Sequence, residues 1–209
     1  MIHPLPATVA LVAIAAFLLG SLPFGYLIGR FFYRTDIRTR GSGNIGAMNA
    51  LRTLGKGGAA AVLLLDAAKG FAAVELARLW FHATPWSHEA ASLAAACAVI
   101  GHCFSPWLSW RGGKGVATSF GALFALCWPA GLVAVGGWLA GALLTRYSSI
   151  GSMFGSALAP FALWAFTRSL PETLYGIFAA LFIFFTHREN IRRLRLGTEG
   201  PIRLSQPRG

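Results

Sequence analysis

Long apolar runs alternate with short polar loops along the whole chain. A helix needs about 20 apolar residues to cross the hydrocarbon core of a bilayer. Ala7 to Gly29, Ala59 to Phe81, Ala90 to Leu108, Ser149 to Phe166 and Thr173 to Thr186 meet or approach that length. Val116 to Thr145 is too long for one straight span and short for two, with Pro129 near its middle. The pattern predicts an all-α, polytopic helical bundle, with one transmembrane domain over residues 1–209.

Charge decides how the ambiguous stretch is read. Basic loops flanking apolar spans face the cytoplasm. If 116–145 crossed once, Arg188, Arg192, Arg193, Arg195, Arg203 and Arg208 would lie opposite Arg30, Arg34, Arg38 and Arg40. Two short helices joined near Pro129 place them on one side, together with Arg52, Lys56, Arg111, Lys114 and Arg146. Arg78 and Arg168 then fall on the other side. Gly137 and Gly141 provide a small-xxx-small surface on which these short helices can pack. The expectation is seven spans, N-terminus out and C-terminus in, with the basic face in the cytoplasm. No Lys or Arg precedes the first run, whereas Arg30, Arg34, Arg38 and Arg40 follow it, so it reads as a retained span rather than a signal peptide, and His3 is placed on the outer side without a role.

Composition agrees with a membrane protein. Of 209 residues 56% are hydrophobic and 12% charged, against about 25% charged in soluble domains. The net charge of +11 would suggest nucleic acid if the chain were soluble. Distributed between apolar runs, it points to membrane lipid headgroups and phosphorylated substrates, with no nucleic-acid partner. Cys97, Cys103 and Cys127 show no CxxC spacing and read as small core residues. There is no G-x-S-x-G, no H-E-x-x-H and no acidic metal cluster, so neither a metal nor a cofactor is expected.

Three segments on the basic side carry candidate chemistry. In 41–57, Gly41, Gly43 and Gly46 allow backbone N–H groups to face an anion, while Ser42, Asn44 and Asn49 add side-chain donors. Arg52 suits a bidentate phosphate clamp and Lys56 a point charge. In 101–118, Gly112, Gly113 and Gly115 surround Lys114 and feed a helix whose third residue is Thr118. That arrangement fits an anion site and equally a basic interfacial turn anchored by Trp107 and Trp110. In 187–195, helical spacing puts His187, Asn190 and Ile191 on one side and Arg188 and Arg192 on another. Tyr147-Ser148-Ser149 opens a span on the same face. Asp66 and Lys69 lie one turn apart inside a span, where charges face a protein or aqueous interior. A mutual salt bridge and a functional role both remain open.

Five segments together resemble the bacterial acyl-phosphate:glycerol-3-phosphate acyltransferases. They are G-S-G-N-x-G-A-x-N-x-L-R at 41–52, D-x-x-K-G at 66–70, G-H-x-F-x-P at 101–106, G-G-K-G-V-A-T at 112–118 and H-R-E-N-I at 187–191. The resemblance covers nearly the whole chain. Met48 stands where the family pattern has Thr.

The resemblance implies a seven-span inner-membrane enzyme that moves a fatty acyl group from acyl phosphate to the 1-hydroxyl of sn-glycerol 3-phosphate. The products would be lysophosphatidate and phosphate, the first acylation of bacterial phospholipid synthesis, with functional coupling to the enzyme that makes acyl phosphate. It implies that Ser42 and Arg52 are essential, that Gly112, Gly113, Lys114 and Gly115 bind glycerol 3-phosphate, and that His187 and Asn190 belong to the active site. Glu189 is given a structural role.

On this reading Arg52, Lys114 and glycine N–H groups hold two phosphates, and Ser42, Asn44 and Asn190 orient the reacting carbonyl. Either His187 or the donor's own phosphate takes the proton. A transporter or channel for an anionic phosphorylated metabolite is the alternative. It is disfavoured by the lack of an internal repeat and by polar motifs gathered at one face.

Overall fold

A computed structural model describes residues 6–202; His3, Arg203 and Arg208 lie outside the described residues. Every regular element among them is helical. In chain order these are α1 (Pro6–Ser21), α2 (Phe24–Phe32), α3 (Ala47–Thr53), α4 (Gly55–Phe81), α5 (Ser87–Cys103), α6 (Val116–Leu126), α7 (Trp128–Thr145), α8 (Ser148–Thr167), α9 (Leu170–Thr186) and α10 (Arg188–Arg195).

Four stretches are long and apolar enough to cross a membrane: Ala7–Phe32, Ser87–Leu108, Trp128–Thr145 and Ser148–Thr167. Leu170–Thr186 with Arg188–Arg195 makes a fifth when that pair, bent by 55°, counts as one. α4 has 27 residues but buries Asp66 and Lys69 along its length. α6 has only 11. Outward faces are strongly apolar: Leu64, Leu79, Leu143, Leu144, Phe161 and Leu181 are all exposed. Water would penalise such a surface, whereas lipid accepts it.

The break expected at Pro129 falls at Cys127, whose extended backbone separates α6 from α7, with Pro129 in the first turn of α7. That position suits Pro because the first-turn N–H has no intrahelical partner. A second break, not expected from the apolar run, lies at Leu22-Pro23 and divides 7–29 into α1 and α2. The freed polar groups there find partners from other helices. Ser105 Oγ donates to Ser21 O at 2.7 Å, Trp107 Nε1 to Ser21 Oγ at 2.8 Å, and Lys69 Nζ to Leu22 O at 2.8 Å.

Small residues set the helix spacing. Gly20 of α1 lies on the backbone of Ala98 in α5, and Gly121 of α6 lies on Ala67 in α4. Gly137 and Gly141 pack on Gly155 and Gly151 of α8. They therefore join α7 to α8, not to α6 as the small-xxx-small spacing suggested. A four-residue repeat specifies a close-packing face but carries no information about its partner. The central core is correspondingly rich in Ala, with Ala91, Ala95, Ala122, Ala130, Ala134, Ala159 and Ala179 buried around Leu123 and Leu163.

The bundle has two polar ends. At one, Arg78 of α4 donates to the carbonyls of Ala125 and Leu126, the latter at 2.8 Å, closing the C-terminus of short α6. Glu172 is buried there, 2.8 Å from His88 Nδ1 and 3.6 Å from Arg78. At the other end the polar loops of the sequence motifs meet.

Candidate active site

The first loop is built around Asn49. Its Nδ2 donates to Ile37 O at 2.8 Å and Asn44 O at 2.7 Å, and its Oδ1 accepts from the Ser42 N–H at 2.8 Å. Gly43 N donates to Arg40 O and Gly46 N to Asn44 Oδ1. Gly41 and Gly43 have φ of 59° and 70°, the left-handed region that lets the chain turn this tightly. The N–H groups of Ser42, Gly43 and Gly46 are therefore bonded within the loop and do not form the anion cradle expected from its glycines. Asn49 is buried and holds the loop, and Asn44 does the same through both oxygens. The loop presents the exposed Ser42 on its surface, and the following α3 carries exposed Arg52. Lys56 is exposed in the first turn of α4.

In the second loop, Gly112 N donates to Cys103 O at 2.9 Å and Gly113 N to His102 O at 3.0 Å. A Cβ on Gly112 would overlap the carbonyl of His102, and one on Gly113 would overlap the His102 ring. These glycines bring the loop down onto α5, so their N–H groups face protein rather than ligand. Gly115, with φ of 84°, turns the chain into α6. Thr118 is completely buried against Gly70 of α4 and does not face the loop surface. Helical spacing turns it inward toward the packed neighbour.

Lys114, at the tip of this loop, reaches across to α10. Its Nζ donates to Asn190 Oδ1, and its backbone carbonyl accepts from Thr186 Oγ1 at 3.0 Å. Asn190 Nδ2 donates to Glu199 Oε1 at 2.6 Å. Ser149 Oγ donates to the same oxygen at 2.9 Å, and Arg193 Nε to Oε2 at 2.7 Å. Arg52 Nη2 donates to Gly200 O at 3.4 Å, and Ile202 N pairs with Arg146 O at 2.8 Å. Ser148 opens α8 beside Ser149 and is half-buried. Thus α3, the loop before α6, the start of α8 and α10 converge under the segment that follows α10.

Glu199 was not among the residues singled out by motif, although it is the acidic residue in an otherwise basic tail. Glu189, given the structural role, is exposed and forms a surface ion pair with Arg192 at 3.6 Å. Exposed pairs contribute little. Helical spacing turns Glu189 away from Asn190, while the chain reversal after α10 brings Glu199 inward.

The cluster tunes its own ionisation. Burial, reinforced by the charge of Arg193, brings the Lys114 ammonium down to about 8. Burial and the nearby Lys114 charge push His187 down to about 4. Its Nδ1 lies 2.8 Å from Ile183 O. A carbonyl only accepts, so Nδ1 carries the proton of the neutral ring and Nε2 keeps a lone pair. Although burial raises Glu199, hydrogen bonds from Asn190, Arg193 and Ser149 bring it below the usual carboxylate range. The site is a cationic surface with one internal carboxylate and one neutral imidazole. Such a surface binds phosphate and stabilises developing negative charge. A cavity of about 320 Å³ lies between the first and second loops, lined by Asp36, Arg38, Gly43, Arg111 and Gly112 among others, and none of Arg52, Lys114, His187, Asn190 and Glu199 lines it.

Residues 10–197 match the family model described as glycerol-3-phosphate acyltransferase. The chain belongs to the glycerol-3-phosphate acyltransferase family. A relative with that name from Synechococcus sp. (strain JA-2-3B'a(2-13)) is 47% identical over 93% of this chain and 95% of its own. Another, from Dinoroseobacter shibae, is 47% identical over 94% of each. The crystal structure of PlsY (YgiH), an integral membrane glycerol 3-phosphate acyltransferase in its glycerol 3-phosphate form, superposes with a TM-score of 0.86. It is 33% identical and covers 94% of this chain and 96% of that one. The lysphosphatidic acid form gives a TM-score of 0.85. This glycerol-3-phosphate acyltransferase is therefore a multi-pass membrane protein, and the carrier alternative is removed. Within the family frame, Lys114, Asn190 and His187 lie together at the motif end, with Arg52 joined through the tail.

Proposed function

We propose that the chain transfers a fatty acyl group from acyl phosphate to the 1-hydroxyl of sn-glycerol 3-phosphate, releasing lysophosphatidate and phosphate. The observation that carries this reading is the joining of Lys114, Asn190, Arg193 and Arg52 around the Glu199 segment. Family membership supports it, as do the glycerol 3-phosphate and lysphosphatidic acid forms of the solved relative. Acyl phosphate is a mixed anhydride and already activated, so catalysis reduces largely to holding two anions together. Lys114 and Arg52, rather than loop N–H groups, supply the positive charge. The hydroxyl oxygen attacks the carbonyl carbon, the bond to the phosphate oxygen breaks, and phosphate leaves. His187 is a poor proton acceptor at its depressed pKa, so the donor's phosphate takes the 1-hydroxyl proton, and the Nε2 lone pair accepts from the neighbouring 2-hydroxyl to orient the acceptor.

We place this site at the cytoplasmic face of the bacterial inner membrane, from the basic residues gathered there. Counting α1–α2 as one span and α6 as a short span gives seven, N-terminus out. At about 1.5 Å per residue, α6 spans only part of the bilayer, and Arg78 caps its shallow end. The purified protein in liposomes is expected to release phosphate only when acyl phosphate and glycerol 3-phosphate are both present, with lysophosphatidate as the lipid product. Turnover with acyl-CoA but not acyl phosphate would overturn the donor assignment.

A further inference from the structure

Below the second loop sits a buried polar group that the proposed reaction does not use. Asp66, Lys69 and His102 are 1%, 3% and 3% exposed. Lys69 Nζ lies 2.7 Å from Asp66 Oδ1, and His102 Nδ1 lies 3.5 Å from the same oxygen. The spacing of Asp66 and Lys69 in sequence allowed an ion pair but gave no sign of the third member. His102 comes from α5, and only packing brings it to α4.

Two of the three are also attached to a loop or a break. Gly113 rests directly on the His102 ring, and Gly113 N donates to the His102 carbonyl at 3.0 Å. Lys69 Nζ donates to Leu22 O, the carbonyl freed where α1 gives way to α2. α2 in turn supports the first loop, because Gly25 packs on Ile45 and Gly29 on Ile37. Gly70, next to Lys69, packs on the Thr118 carbonyl at the start of α6. Thus one buried group touches the supports of both loops.

Packing alone does not require charge here. A buried ion pair gives little or no net stability over apolar side chains of similar volume, and charges within a span are costly. Asp66 Oδ1 and His102 Nδ1 form no hydrogen bond. The three are held by charge contacts of 2.7 and 3.5 Å and by the directed bond from Lys69 to Leu22 O, which fix a support more rigidly than apolar contact does. We propose that Asp66, Lys69 and His102 are positioning residues that set where Lys114 meets the phosphate of the acceptor substrate. Asp66 and Lys69 fix the polar side of the His102 ring by charge, the ring seats Gly113, and Lys114 follows in the chain. This inference rests on the reading that Lys114 holds the glycerol 3-phosphate phosphate.

The deciding variant is His102→Phe, which keeps a flat ring beneath Gly113 and cuts its link to Asp66. The KM for glycerol 3-phosphate is expected to rise about tenfold, as displacement of a charge contact in the binding step would produce. The KM for acyl phosphate and kcat stay near the parent values, and His102→Gln, which restores a donor toward Asp66, recovers much of the loss. Lys114→Met is measured alongside. If it leaves the glycerol 3-phosphate KM unchanged, the Lys114 reading fails and this inference falls with it. If Lys114→Met raises that KM while His102→Phe does not, the positioning role alone is overturned. An equal rise in both substrates' KM values would show general loosening and also overturn it. Should His102→Phe not fold, as judged by gel filtration in detergent, the paired change Asp66→Asn with Lys69→Met takes its place. That variant removes both buried charges together and is expected to show the same selective KM rise; a parent-like KM in it would overturn the proposal.

Discussion

Glu199→Ala tests whether the segment after α10 holds the active site together. The change deletes a carboxylate that accepts from Asn190 at 2.6 Å, Arg193 at 2.7 Å and Ser149 at 2.9 Å. Hydrogen bonds to a charged group contribute about 1.5–3 kcal/mol each when protected from water. The Glu199 side chain is 8% exposed but Arg193 is 37% exposed, so that pair is screened and contributes at most about 1 kcal/mol. Together the three contacts give about 3 kcal/mol after the ordering cost of the freed tail is included. The loss is local, because the tail can leave without disturbing the apolar core. Asn190 then loses its fixed orientation, and Lys114 loses the acceptor that aims it. If this whole amount is withheld from the transition state, turnover falls by about 100-fold. Phosphate release by the variant in liposomes measures the loss. Tryptic cleavage after Arg193 or Arg195 measures tail release independently and is expected to accelerate. Parent-level turnover together with parent-level tryptic protection would refute the reasoning.

Two further outcomes follow from the same geometry. Lys114 is charged below about pH 8 and neutral above it, so kcat/KM for glycerol 3-phosphate is expected to fall as pH rises through that value. His187 titrates near 4 and is neutral from pH 6 to 8, so His187→Ala lowers the rate without reshaping the profile there. A limb near pH 6 belongs to the second ionisation of a phosphate monoester, at about 6; its disappearance in His187→Ala would contradict this assignment. For stability, Gly141→Ala places a methyl 2.8 Å from the Gly151 Cα and is expected to cost about 1–3 kcal/mol by forcing α7 from α8. Gly136→Ala meets nothing within 4 Å and is expected to stabilise the helix by about 0.5–1 kcal/mol. Thermal unfolding in detergent separates the two.

Much of the architecture was legible because bilayer thickness imposes a length on apolar runs and the backbone must bond to itself in lipid. The same pattern located the helix break near Pro129. It did not reveal the break at Pro23, since Leu22 O is supported by Lys69 from another helix. The motifs singled out Arg52, Lys114, His187 and Asn190, which the fold gathers at one end, but glycine content misrepresented how the loops pack. Gly112 and Gly113 permit close approach to α5, and Asn49 fastens its loop from within. A sequence gives the freedom of a glycine and the donors of an asparagine, while their direction depends on neighbours distant in the chain.

By itself, then, the sequence determined a helical membrane bundle, the segments that carry its polar motifs and the family it resembles. Those properties rest on local composition, span length and short-range spacing. Tertiary structure alone decided that Glu199, and not Glu189, bonds to Asn190, Arg193 and Ser149, that Gly137 and Gly141 face α8, and that His102 joins Asp66 and Lys69. It also decided the proton affinities of Lys114 and His187, because desolvation and neighbouring charge exist only once separate helices are packed together.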